Sequence, residues 1–166
     1  MTKLWAETMK KGIVLSLVLA LCLSLCACGS SKCKLTADEV QEALAKCKGE
    51  AEIEESRGTV KRLTYRVDDI DPEALADKAY VTETMLAVAS GDADVITGGH
   101  IKAAKVIRPV IELEMLLNEQ IDEIIATDLI EEVTAIIVDG KTVQYQGWTL
   151  SVQIDQSNGS ATISMS

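Results

Sequence analysis

Phenylalanine is missing from this 166-residue chain, histidine occurs once and proline twice. Aromatic residues make up only 3%, and past the amino-terminal stretch they are Tyr65, Tyr80, Tyr145 and Trp148. One histidine excludes a metal centre built on paired histidines within a single chain. So few rings make a stacking platform for single-stranded nucleic acid hard to assemble. Positive charge is scarce as well, since 16 Lys and Arg face 26 Asp and Glu for a formal net charge of −10. Such a chain repels phosphate polymers, and nucleic acid binding is set aside. Aliphatic side chains are abundant: a hydrophobic content of 48% is too high for a disordered chain and enough for one packed domain.

The apolar residues begin early. Lys10 and Lys11 precede a run from Gly12 to Leu25, 14 residues long. A bilayer span needs about 20, so the run reads as the hydrophobic region of a secretion signal and not as a transmembrane helix. Met9-Lys10-Lys11 has the form in which such signals begin, which makes Met9 a second candidate start beside Met1. The run ends in Leu25-Cys26-Ala27-Cys28: an aliphatic residue, a permissive one, a small one, then cysteine. This resembles the lipobox of bacterial lipoproteins. The resemblance implies a diacylglyceryl group on the Cys28 sulfur, with fatty acyl chains such as palmitate, and cleavage after Ala27. Cys22 and Cys26 fit less well, because bulky Leu21 and Leu25 precede them. A zinc site from Cys26, Cys28 and Cys33 is disfavoured, since C-x-C-x4-C lacks the separated pairs that close a tetrahedron.

Two acyl chains hold a protein stably where one does not, so the implied location is the outer side of the cytoplasmic membrane, lipid-anchored. Residues 1–27 carry Lys3, Lys10 and Lys11 against Glu7, a net of +2, which leaves −12 for residues 28–166. Residues 28–34 form a tether reaching about 20 Å, and residues 35–166 form a single domain. The order of a short helix, a hairpin, a helical middle and a closing "DGKTVQYQGWTLSV" meander is similar to small lipoproteins of Gram-positive type, a likeness that brings no functional motif.

Within the domain, Thr36-Ala37-Asp38-Glu39 matches a capping box with Leu35 as staple, and Val40, Leu44 and Cys47 follow at helical spacing up to Gly49. A helix over 37–48 is expected. Residues 51–56 and 59–67 flank Arg57-Gly58 as a β-hairpin. Asp71-Pro72 starts a helix that runs to Ser90 and stops at Gly91, with Leu75, Ala79, Thr82, Leu86 and Ala89 on one face, widened by Val81, Met85 and Val88. Another begins at Thr97 and must kink or break at Pro109. Residues 119–138 read as a third long helix, although Asp139-Gly140 also allows strand over 135–138. From Lys141 onward, alternation with turns at Gly147 and Ser157-Asn158-Gly159 gives a three-stranded meander. The expected fold class is α+β, an antiparallel sheet of about five short strands with helices packed on one face.

Chemistry-bearing patterns are few. His100, in "TGGHIKAAK", could act as a general base with Asp92 or Asp94, yet no G-x-S-x-G elbow precedes any serine. A polar first-turn residue explains His100 equally well. "SGDADVITGG" lacks the lysine and spacing of a P-loop. Asp68, Asp69, Asp71 and Glu73 lack the D-x-D-x-D-G calcium pattern, and Glu119, Asp122, Glu123, Glu131 and Glu132 read as a solvated helix face. Cys33 and Cys47 lie too far apart along a helix to bridge easily, and Cys47 reads as a filler on the stripe of Val40 and Leu44. No catalytic, cofactor or metal residue is assigned. The expected function is a noncatalytic binding or structural domain of the envelope that meets a protein or another envelope component. A solute-capturing accessory of a transporter stands behind it, although residues 28–166 are too few for two closing lobes, and a small envelope hydrolase using His100 stands last.

Overall fold

Thr36 opens the first helix as expected. In a computed structural model, which describes residues 32–90, 99–118 and 127–166, its side chain accepts from the Glu39 N–H while the Glu39 carboxylate accepts from the Thr36 N–H. Leu35 and Val40 are both buried, completing the staple. Helix α1 spans Ala37–Leu44 and is followed by strands β1 (Glu50–Ser56) and β2 (Thr59–Asp68). Short helix α2 (Pro72–Leu75), then α3 (Lys78–Ser90), α4 (Gly99–Leu117) and α5 (Thr127–Ile137) form the middle. Strands β3 (Val143–Tyr145), β4 (Trp148–Asp155) and β5 (Ser160–Met165) complete the order. Lys32–Ser166 forms one unit. The lipobox, with Ala27 and Cys28, lies outside the described residues, as do Gly91, Asp92, Asp94, Thr97 and residues 119–126.

The fold is α+β, with one five-stranded antiparallel sheet in the order β1-β2-β5-β4-β3. Two tight hairpins flank a central seam between β2 and β5. Both use two-residue turns with positive φ, Arg57 (56°) with Gly58 (70°) and Gln146 (48°) with Gly147 (83°), the geometry that matches the strands' own twist. Across the seam Leu63, Met165 and Leu150 form one row, and Tyr65, Ile163 and Val152 the next. These rows face the helices. The other side carries Thr64, Ser164 and Ser151, then Arg66, Thr162 and Gln153, a polar face that water can cover. Helix α4 packs against α1, α3 and α5, and α5 against β4. Among the described residues no helix is long and apolar enough to cross a membrane.

Three elements differ from expectation, and a fourth, the helix through residues 135–137, follows it. The first helix ends at Leu44, not at residue 48, and Gly49 serves another purpose: a Cβ there would lie 2.6 Å from the Arg66 carbonyl and 2.6 Å from the Tyr65 ring. The expected helix over 72–90 is two, because the Asp77 carboxylate accepts the N–H groups of Ala79 and Tyr80 and starts a new helix. That restart resets the phase, so Val81, Thr84, Met85 and Ala87 are buried while Leu86 is 46% exposed. Pro109 does not break α4, which continues to Leu117. Proline in a helix interior costs about 3 kcal/mol, and α4 offsets this by burying Val106, Ile107, Val110, Ile111 and Leu113 around it. Residues 135–137 are helical, and the chain leaves α5 through Gly140 at φ 63°.

Candidate functional site

Two ends of the sheet differ. At the proximal end the chain enters the domain: the Cys33 N–H donates to Gln146, the Val60 N–H donates to Leu35, and Trp148 Nε1 donates to the Cys33 carbonyl at 2.8 Å. Lys32 Nζ stands 3.5 Å over the buried Trp148 ring. Nine residues along β2, about 30 Å away at 3.4 Å per residue, lies the distal end. There β2 runs into Asp69, whose φ is 55°. Its carboxylate meets Lys102 Nζ at 2.7 Å and Lys105 Nζ at 3.0 Å. Those two ammonium groups hold the Asp69 carboxyl below the usual carboxylate range.

Beside this clamp a groove of about 260 Å³ separates α4 from the segment joining α1 to β1. Lys46, Lys48, Lys105 and Arg108 surround it, and Cys47, Ile101, Ala104 and Pro109 form its apolar part. Ile101 is 48% exposed, one of only two large hydrophobic side chains so open among the described residues. Lys105 is committed to Asp69 and to the carbonyls of Asp68 and Asp69. Lys46, Lys48 and Arg108 form no ion pair with any described residue, whereas Arg62 pairs with Glu54 and Arg66 with Asp68. Three uncommitted cations thus converge on an apolar floor in a domain whose net charge is −12. One acid lies nearby, Glu112, one turn beyond Arg108.

Cys47 is half-buried in this floor. Burial pushes its thiol up to about 11, with Glu112 adding to the shift and Arg108 opposing it. A thiol held neutral is a poor nucleophile, which disfavours thiolate chemistry in the groove. Cys33 and Cys47 are both free thiols, each partly buried.

His100, the residue on which a hydrolase would depend, is fully occupied on one side. Its ring stacks on Tyr80 at a centroid distance of 4.2 Å, and its Nδ1 lies 2.7 Å from Thr84 Oγ1. That hydroxyl spends its only proton on the Tyr80 carbonyl at 2.8 Å, so the imidazole Nδ1–H donates to it. Thr84 is therefore not a nucleophile activated through Nδ1, and Nε2 is left as the ring's acceptor. Thr84 is moreover fully buried.

The acidic group at 68–73 disperses: Asp68 bonds Arg66, Asp69 the two lysines, and Asp71 caps α2. Among the described residues no three potential ligands gather as a metal site. Glu132, read from sequence as part of a solvated face, instead accepts a hydrogen bond from the Tyr145 hydroxyl. Opposite it on α4, Glu114 is fully buried and neither oxygen has a hydrogen-bond partner. Its carboxyl is pushed up to about 8, chiefly by burial and then by the Glu132 charge. Burial and the Glu132 bond hold the Tyr145 phenol well above its usual range. A neutral acid beside a carboxylate has acid–base potential, yet Glu114 is sealed from solvent, so substrate has no access to it. Sequence reasoning passed over Glu114, although it falls on the stripe Ile107, Val110, Glu114 and Leu117, all buried.

A second hollow of about 640 Å³ lies on the polar sheet face around Arg66, Asp155 and Asn158, but its charged groups are tied to their neighbours. No family model, no curated protein and no solved structure matches the chain.

Proposed function

We propose that this chain is an envelope lipoprotein, held to the outer side of the cytoplasmic membrane by lipid on Cys28 after cleavage behind Ala27, and that its noncatalytic domain binds a partner at the distal groove. The observation that carries this reading is the separation of the two ends. The chain enters at Lys32 to Leu35, beside Gln146 and Val60, while Lys48 of the groove leads into Glu50, which pairs with Arg66 about 20 Å along β2 from Val60. A tether at one end leaves the other free to meet something outside the bilayer. The buried Thr84 hydroxyl, which donates to the Tyr80 carbonyl, and the raised Cys47 thiol leave neither side chain as an activated nucleophile, which supports a noncatalytic domain over a hydrolase. An open groove of about 260 Å³ within one domain supports contact with a partner over enclosure of a solute.

Cell fractionation tests the anchor. The native chain is expected in the membrane fraction and the Cys28→Ser variant in the medium. A Cys28→Ser protein that stays in the membrane fraction would refute lipid anchoring through that thiol.

A further inference from the structure

We infer that the distal groove receives an acidic peptide segment of a partner protein, one that places a single aliphatic side chain on the apolar floor and carboxylates against Lys46, Lys48 and Arg108. This rests on the proposed function for the groove's outward orientation, and it goes further by naming the ligand's chemistry.

Charge selects the sign of the ligand. Lys46, Lys48 and Arg108 have no carboxylate partner among the described residues, while Lys102 and Lys105 already share Asp69. Apart from Glu112 beside the groove, which three cations outweigh, the domain's more distant acids are screened, since the screening length is about 8 Å at physiological ionic strength. A short acidic segment therefore feels the rim more than the net charge, whereas a long polyanion crossing the surface meets the acidic remainder. Glu50, Glu52 and Glu54 of β1 follow directly on the groove's Lys48.

The floor selects against a bare anion. Ile101 is 48% exposed, and with Ala104, Pro109 and Cys47 it offers apolar surface that inorganic phosphate would leave wet. About 260 Å³ accommodates one branched aliphatic side chain, not a long acyl chain. A bilayer surface is disfavoured by position, because the groove is displaced about 20 Å along β2 from the point at which the chain enters. An extended peptide supplies both halves of the recognition, an apolar anchor and flanking carboxylates.

The test uses the full chain in zwitterionic detergent micelles and a dye-labelled peptide, acetyl-Glu-Glu-Leu-Glu-Glu-amide, read by fluorescence anisotropy. Saturable binding is expected. It should weaken about tenfold or more, the change that 1.4 kcal/mol represents, in the Lys46→Glu/Arg108→Glu double variant and several-fold in Ile101→Ser. All the altered side chains line the surface groove, and unchanged far-UV circular dichroism checks that the variants are folded. Four results would overturn the inference: no binding by the folded protein, equal binding of the Glu-Glu-Ser-Glu-Glu analogue, displacement by millimolar inorganic phosphate, or co-sedimentation with anionic vesicles that the double variant abolishes. Release of the Cys28→Ser protein is scored separately, so failure of the peptide leaves the anchor standing and failure of the anchor leaves the peptide result intact.

Discussion

Glu114 gives the domain a built-in dependence on pH that one substitution should remove. Its carboxyl has an ordinary value of 4.5 in an unfolded chain and sits at about 8 in the folded one. Below pH 4.5 both states hold the proton and the group contributes nothing to the balance. Between 4.5 and 8 only the folded state holds it, so stability falls as pH rises, by about 1.4 kcal/mol per unit. Above 8 both states have released it and the loss levels off. The full loss is about 5 kcal/mol, and about 3 kcal/mol is already spent at pH 7, a large share of the 5–15 kcal/mol by which domains are usually stable. Glu114→Gln keeps the shape and cannot ionise, so the variant should be more stable than the native chain at pH 7 and nearly equal to it at pH 4. The assay is urea unfolding of both proteins from pH 4 to 9 by circular dichroism, plotting the difference in free energy so that other titrating groups cancel. A difference that stays flat from pH 5 to 8, or that favours the native chain as pH rises, would refute the reasoning.

Other perturbations test separate parts of the structure. Gly49→Ala should destabilise by about 1–3 kcal/mol, because the new methyl meets the Arg66 backbone carbonyl at 2.6 Å and one side of the contact cannot swing away; an unchanged urea midpoint would contradict it. Thr36→Ala removes the hydroxyl that accepts from the Glu39 N–H and keeps only the backbone half of the capping box, so it should cost about 1 kcal/mol by the same measurement, with a loss below a few tenths counting against the cap. Cys47, with its thiol at about 11, should resist iodoacetamide at pH 8 in the folded protein and react readily in urea, as followed by mass spectrometry of its peptide. Equal rates in the two conditions would show the thiol to be open and activated.

Local chemistry was readable and long-range chemistry was not. The capping box at Thr36, the Arg57-Gly58 turn and the alternation of Leu63, Tyr65 and Val67 each depend on residues a few positions apart, and each stands where the sequence puts it. The face of α3 was misread because Asp77 could be counted as one more polar residue or as a new cap, and only the second choice sets the phase of Val81, Thr84 and Met85. Pro109 was overweighted because its local penalty is visible in sequence and the burial surrounding α4 is not. The groove draws on Lys46 and Lys48 before the sheet and Arg108 from α4, and no spacing rule joins residues 60 positions apart. Glu114 was legible in principle, since an acid on an apolar stripe is a signal by itself.

The seam between β2 and β5 fixes when this protein can fold. Tyr65 and its partner Ile163 are 98 positions apart, and closing so long a loop costs about 4 kcal/mol of chain entropy before any contact rewards it. The hairpin of β1 and β2 can form early, but until Ser160–Met165 has been synthesised β2 has an unpaired edge. The sheet thus stays open along β2 until residues 160–165 are made. Under the export proposed for this chain, late closure would keep it threadable, and it places the hazard of misassociation in that same interval.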